Sequence, residues 1–166
     1  MAADFALHLA TRSAEETEGV GARLAGSMPA PARHVVVVYL SGDLGAGKTT
    51  LARGFLRACG YTGAVRSPTY TLLECHRADA LTIVHLDLYR LRGAAEVETL
   101  GLRDLVRSDH LFLIEWPERG AEHLPQPDLV ASLSVEADRN RIEIAARSDF
   151  GREWVARWPE AGGASL

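Results

Sequence analysis

Eight consecutive residues, Gly42-Asp43-Leu44-Gly45-Ala46-Gly47-Lys48-Thr49, set two glycines around a four-residue gap and follow them with Lys-Thr. That spacing fits a phosphate-binding loop (P-loop). Glycine reaches backbone angles closed to other residues, so successive N–H groups can turn inward onto phosphate oxygens. A Lys48 ammonium would neutralise β/γ-phosphate charge, and the Thr49 hydroxyl is placed to coordinate Mg²⁺. A helix that starts near Lys48 would add its N-terminal dipole to the same anion site.

A P-loop cation needs a second anchor, commonly a carboxylate at the end of a buried strand. Two acids qualify: Glu115 after Leu111-Phe112-Leu113-Ile114, and Asp87 after Ile83-Val84-His85-Leu86. Pattern alone favours Glu115, because four apolar residues and then an acid describe a central strand emerging into a site. Asp87 has a plainer reading, as a solvated strand-end acid. Ser67-Pro68-Thr69-Tyr70 stands where a γ-phosphate-sensing loop would be, and it also suits a turn that opens a strand. Trp116 packs the end of its strand or, beside Glu115, covers the phosphate site or docks a partner.

The elements that would position these residues follow from periodicity. Asp4 to Ala10 alternates as an edge strand, and Ser13-Ala14-Glu15-Glu16 has capping-box spacing ahead of a helix to about Ala25. Pro29 and Pro31 end that helix and lead into Val35-Val36-Val37-Val38-Tyr39-Leu40, a strand buried on both faces. Leu51, Phe55, Leu56 and Cys59 recur at helical spacing up to a capping Gly60. Runs Thr69 to Cys75 and Leu81 to Leu86 are too close for a crossover, so they pair antiparallel around Asp79. Gly93 to Arg107 predicts one or two short helices broken at Gly101, and Leu111 to Ile114 a strand ended by Pro117. Leu129 to Val135 and Arg141 to Ala145 predict a hairpin around Asp138-Arg139-Asn140. The sum is one α/β domain over 1–166, with a strand-loop-helix unit and two antiparallel hairpins. Residues from about 159 to 166 form a Gly-rich tail expected to be flexible.

Bulk properties narrow the class. A chain of 166 residues suits a single core, and 47% hydrophobic with 24% charged residues is ordinary globular usage. A net charge of -4 does not favour DNA, RNA or an anionic membrane as a direct partner. No apolar run approaches the roughly 20 residues a membrane span needs. The acidic N-terminal region, with Asp4, Glu15, Glu16 and Glu18, does not resemble a secretory leader, so a cytoplasmic address is expected. Cys59 and Cys75 lack metal spacing and are expected to be reduced core residues.

Four blocks in order resemble the TsaE family, the ATPase component of bacterial tRNA threonylcarbamoyladenosine (t6A) synthesis. They are the P-loop through Thr50, Ser67-Pro68-Thr69-Tyr70-Thr71-Leu72, His85-Leu86-Asp87-Leu88-Tyr89-Arg90-Leu91, and Ile114-Glu115-Trp116-Pro117. The similarity spans about residues 10 to 147, and Leu86 replaces the phenylalanine common in the third block. The resemblance implies a three-layer α/β P-loop fold whose mixed sheet has a parallel core and flanking antiparallel strands, in agreement with the two hairpins. The resemblance implies that ATP binds through Asp43, Leu44, Gly45, Ala46, Gly47, Lys48, Thr49 and Thr50, with Mg²⁺ on Thr49 and Glu115. Lys48, Asp87 and Glu115 would be catalytic, Asp87 acting near the γ-phosphate. Adenine contacts would come from Arg12 and Ser13 and from Arg139 or Arg141. The family's ATPase acts with TsaD and TsaB, which handle the tRNA and modify adenosine 37, so tRNA contact would be indirect. ATP over GTP rests on the resemblance, beside the lack of an Asn-Lys-x-Asp block.

Activity alone is expected to be weak and raised by partners, since no arginine stands out as a finger. Two other readings share these residues. A small-molecule kinase could use Arg103 and Arg107, one helical turn apart, as a lid. An assembly module could use hydrolysis only to reset a complex.

Overall fold

The computed structural model describes residues 5–31 and 33–159. Asp4 and residues 160–166, on which parts of the edge-strand and tail expectations fall, lie outside the described residues.

Seven strands form one sheet: β1 (Ala6–Thr11), β2 (Val36–Gly42), β3 (Leu73–Ala78), β4 (Leu81–Asp87), β5 (His110–Glu115), β6 (Leu129–Glu136) and β7 (Arg139–Ala146). Their order across the sheet is β1-β7-β6-β2-β5-β4-β3. β6, β2, β5 and β4 are mutually parallel. The β3–β4 and β6–β7 hairpins and the β1–β7 pair are antiparallel and flank that core. The parallel core with antiparallel flanks is thus present as the resemblance implied, and both hairpins as the sequence pattern suggested.

Strand alternation divides the interior into two layers. Val36, Val38 and Leu40 face α1 (Ala14–Ser27), α2 (Lys48–Ala58) and a C-terminal helix, while Val37 faces the other side with Val84, Phe112 and Ile114. That second layer is closed by a 3₁₀ segment, Ala94–Leu100, and a short helix α3 (Leu102–Leu105), separated by Gly101 in the left-handed region. Helices α1 and α2 cross at two glycines. A Cβ on Gly21 would lie 2.1 Å from the Leu51 carbonyl oxygen, and one on Gly54 would lie 1.9 Å from that of Glu18. Only backbone fits there.

Three expectations need correction. The C-terminal helix α4 (Asp149–Ala156) was not foreseen; it is capped by Ser148 and buries Trp154, whose Nε1–H donates to the Leu24 carbonyl at 2.8 Å. Strand β3 begins at Leu73, four residues after Thr69, because Leu72 adopts φ 64° and donates its N–H to the Pro68 carbonyl, making a turn first. Cys75 is exposed on that edge strand, since alternation there turns His76 and Ala78 inward; Cys59 is only partly buried against the core. Burial raises both thiol pKa values, that of Cys59 to about 11.

Candidate functional site

The carboxyl ends of the parallel strands deliver the site. Strand β2 runs into the glycine loop, and α2 starts at Lys48 with Gly47 at φ 102° as its N-cap, a conformation that side chains resist. Strand register sets Leu40, Glu115 and Asp87 side by side, so one P-loop strand and two acids end level with one another.

A cleft of about 410 Å³ opens above them. Its wall includes Lys48, Thr49 and Thr50 with Leu44, Gly45 and Gly47. The opposite side carries Ser67, Thr69, Asp87, Tyr89, Arg90, Glu115 and Trp116. Asp43 and Ala46 shape the loop without lining the cleft: the Asp43 carbonyl accepts from Lys48, and the Ala46 carbonyl accepts from Asn140 Nδ2 at 3.4 Å.

Lys48 is folded onto its own loop. Its Nζ donates to the carbonyls of Gly42 at 2.6 Å and Asp43 at 2.7 Å and sits 4.2 Å from the Trp116 ring centroid. Burial lowers the Lys48 pKa, while Glu115 and Asp87 act in the opposite direction. Trp116 itself holds a left-handed backbone, φ 59° and ψ 50°, which is uncommon for a bulky residue. Its N–H donates to the Leu40 carbonyl at 3.2 Å, and Tyr89 stacks on it at 4.9 Å.

Glu115 is buried. Thr49 Oγ1 donates to its two oxygens at 2.8 and 3.1 Å, and His85 Nε2 lies 2.8 Å from Oε1. Asp87 is buried too, accepting from the Ser67 hydroxyl and, at 3.4 Å, the Thr69 hydroxyl on Oδ2, and from the Tyr89 N–H at 2.9 Å on Oδ1. So Asp87 is not a solvated strand-end acid, and the Ser67–Tyr70 segment is both a strand-opening turn and part of the cleft wall. Thr49 and Glu115 offer the hard oxygen donors that Mg²⁺ prefers. Among the described residues no cluster of three or more His, Cys, Asp or Glu side chains makes a metal cage of its own. A cation here would need oxygens from a ligand and water as well.

A second cleft, of about 390 Å³, gathers Arg12, Ser13 and Arg139 with Thr11, Asp138 and Asn140. Arg141 does not line it; its guanidinium pairs with Glu136 at 2.8 Å. Ser13 caps α1, accepting from the Glu16 N–H at 3.1 Å, and Glu16 accepts from the Arg12 N–H at 2.7 Å. Arg103 and Arg107 lie off the cleft above the glycine loop, with Arg103 paired to Glu98 at 3.3 Å. A kinase lid built from them finds no support.

The profile of the family described as "Threonylcarbamoyl adenosine biosynthesis protein TsaE" matches residues 11–145. The chain belongs to the TsaE family. It is 44% identical over 121 residues to the tRNA threonylcarbamoyladenosine biosynthesis protein TsaE of Haemophilus influenzae, covering 73% of this chain and 77% of that one. The proteins of the same description from Streptomyces coelicolor and Bacillus subtilis are 45% and 36% identical, over 72% and 79% of this chain and 83% and 79% of theirs. The crystal structure of Bacillus subtilis YdiB superposes with a TM-score of 0.70 at 28% identity, over 92% of this chain and 95% of that one.

Within this TsaE-family chain, sequence reasoning missed Tyr89, Arg90 and Asn140 as parts of the two clefts, and His85 as the buried partner of Glu115. A histidine inside an apolar strand, two residues before an acid, was the one available signal for His85. Among the described residues no helix is long and apolar enough to cross a membrane.

Proposed function

We propose that the chain is an ATP-binding, Mg²⁺-dependent ATPase subunit required for synthesis of N6-threonylcarbamoyladenosine at position 37 of tRNA. It acts with TsaD and TsaB, and its hydrolysis drives or resets their complex. The carrying observation is the convergence of the P-loop lysine and threonine with two buried strand-end carboxylates on one cleft.

Charge supports the pairing of ATP with a divalent cation. A triphosphate entering beside Asp87 and Glu115 meets two carboxylates, and a cation between them turns that repulsion into attraction. Thr49 and Glu115 are the residues that would hold Mg²⁺, which when bound supplies charge neutralisation at the phosphates. Lys48 leaves the Gly42 and Asp43 carbonyls for phosphate oxygens, exchanging two neutral acceptors for charged ones. Asp87, held by three donors, orients the attacking water. Arg12, Ser13 and Arg139 offer the adenine a neighbouring cleft. The net charge of -4 fits a subunit that reaches tRNA only through its partners.

Titration calorimetry with ATP, ADP and adenosine tests the reading. Lys48→Ala is expected to weaken ATP by about 100-fold, the order of two lost charged hydrogen bonds, and to leave adenosine unchanged. Equal losses for both ligands would remove the phosphate role. Adding TsaD and TsaB is expected to raise the hydrolysis rate of the wild-type chain, and an unchanged rate refutes the partnership.

A further inference from the structure

Among the described residues two cations line the phosphate cleft, Lys48 and Arg90. The same cleft holds Asp87 and Glu115, yet among the described residues Arg90 pairs with no carboxylate. Its guanidinium rests instead on the Tyr70 ring, 4.4 Å from the centroid, and Tyr70 is 83% exposed. A solvent-exposed cation–π contact of this kind is weak, so it holds the arginine loosely.

The backbone under Arg90 is firm. Leu88 and Leu91 are buried on either side, the Leu91 N–H donates to the Leu88 carbonyl at 3.0 Å, and the Leu88 N–H donates to the Glu115 carbonyl at 3.1 Å. This turn fixes the Arg90 backbone at the mouth of the cleft, three residues beyond Asp87, while the side chain stays loosely held. Tyr70 belongs to the segment whose Ser67 and Thr69 hydroxyls bind Asp87, so its resting platform is tied to the same acid.

We propose that Arg90 is a catalytic arginine supplied in cis, which leaves Tyr70 to contact the terminal phosphate as charge builds there. The inference rests on the ATPase reading above. Water oxygen bonds to the γ-phosphorus, and the bond from that phosphorus to the β,γ-bridging oxygen breaks. ADP leaves with the electron pair, and the water proton passes to solvent. The guanidinium fork bridges the equatorial and leaving oxygens, a geometry one ammonium cannot copy. While it rests on Tyr70 the guanidinium is withheld from the phosphate, so the rate is reduced by the fraction of time it spends there, a few-fold for so weak a contact.

Wild-type, Arg90→Ala, Arg90→Lys and Tyr70→Ala chains are compared for binding of ADP and of ADP with aluminium fluoride, in Mg²⁺, and for single-turnover ATP hydrolysis. Arg90→Ala is expected to bind ADP within about 2-fold of wild type, and to lose about 100-fold in the fluoride complex and in rate. Arg90→Lys should recover a minor part of both, and Tyr70→Ala should raise the rate. An Arg90→Ala chain that forms the fluoride complex and turns over like wild type overturns the proposal, as does an equal loss of ADP and fluoride binding. A Tyr70→Ala rate at or below wild type overturns the resting contact. If wild type itself binds no ATP, the ATPase reading fails and takes this one with it; normal ATP binding with an inert Arg90 sinks this one alone.

Discussion

Two buried carboxylates stand at opposite ends of the parallel strands, Glu115 at the carboxyl end of β5 and Asp128 just before β6. They are 2% and 3% exposed. Asp128 accepts from the Val37 N–H at 2.9 Å, from the Ser148 hydroxyl at 2.5 Å, and lies 2.8 Å from His34 Nε2. Ser148 also caps α4, so this carboxylate ties a strand entry to a helix start. Among the described residues Glu115 has no main-chain donor; its partners are the tip of Thr49, on an open cleft, and the imidazole of His85. Burial alone therefore does not mark a working acid. What separates the two is whether the partners can be exchanged for a ligand without opening the fold.

The sharpest way to break this contrast is Asp128→Ala, which leaves a buried main-chain N–H and a capping hydroxyl without their acceptor. A loss of about 3 kcal/mol in unfolding free energy is expected, read by urea titration, with nucleotide binding of the folded protein unchanged. If instead ATP affinity falls and stability holds, the roles of the two acids are reversed. Glu115→Gln should do the opposite. Its stability stays within about 1 kcal/mol of wild type, because the amide oxygen still accepts from Thr49, while the Mg²⁺-dependent gain in ATP affinity drops at least about 10-fold. An undiminished Mg²⁺ effect in calorimetry would remove Glu115 from the metal.

The smallest effect lies behind Glu115. His76 is buried against Tyr61, at 4.6 Å, and near His85, and burial followed by His85 lowers its pKa from 6.5. Below that pH the unfolded chain takes a proton that the folded chain refuses, so stability rises with pH and is lost as pH falls through the folded-state value. His76→Phe should flatten the melting temperature profile on the acid side of 6.5 relative to wild type. An unaltered slope would mean that His76 protonates in place.

Much of this architecture was legible because its signals are local. Val35 to Leu40, the glycine loop and the helix after it fall within one stretch of chain, and both hairpins announce themselves by alternation around a turn. Helix α4 was hidden by Gly151, which looks like a breaker. Its presence there is steric, since a Cβ would come 2.1 Å from the Asp128 carbonyl oxygen, a contact made across 23 positions of chain (151 less 128). Arg139 and Arg141 are alike by pattern and both pair with Glu136, at 3.7 and 2.8 Å, yet only Arg139 lines the second cleft. His85, Arg90 and Asn140 gain their neighbours from strand order and hairpin placement, which no window of residues contains.

The crossing of α1 and α2 on bare glycines has a wider reach. One helix begins beside the Arg12–Ser13 cleft and the other inside the glycine-loop cleft. Main chain rests on main chain where they meet, so the crossing has no rotamers through which to relax. The pair acts as a rigid caliper whose two jaws are the clefts. One methyl group at Gly21 or Gly54 would change the setting of that gauge without touching either jaw.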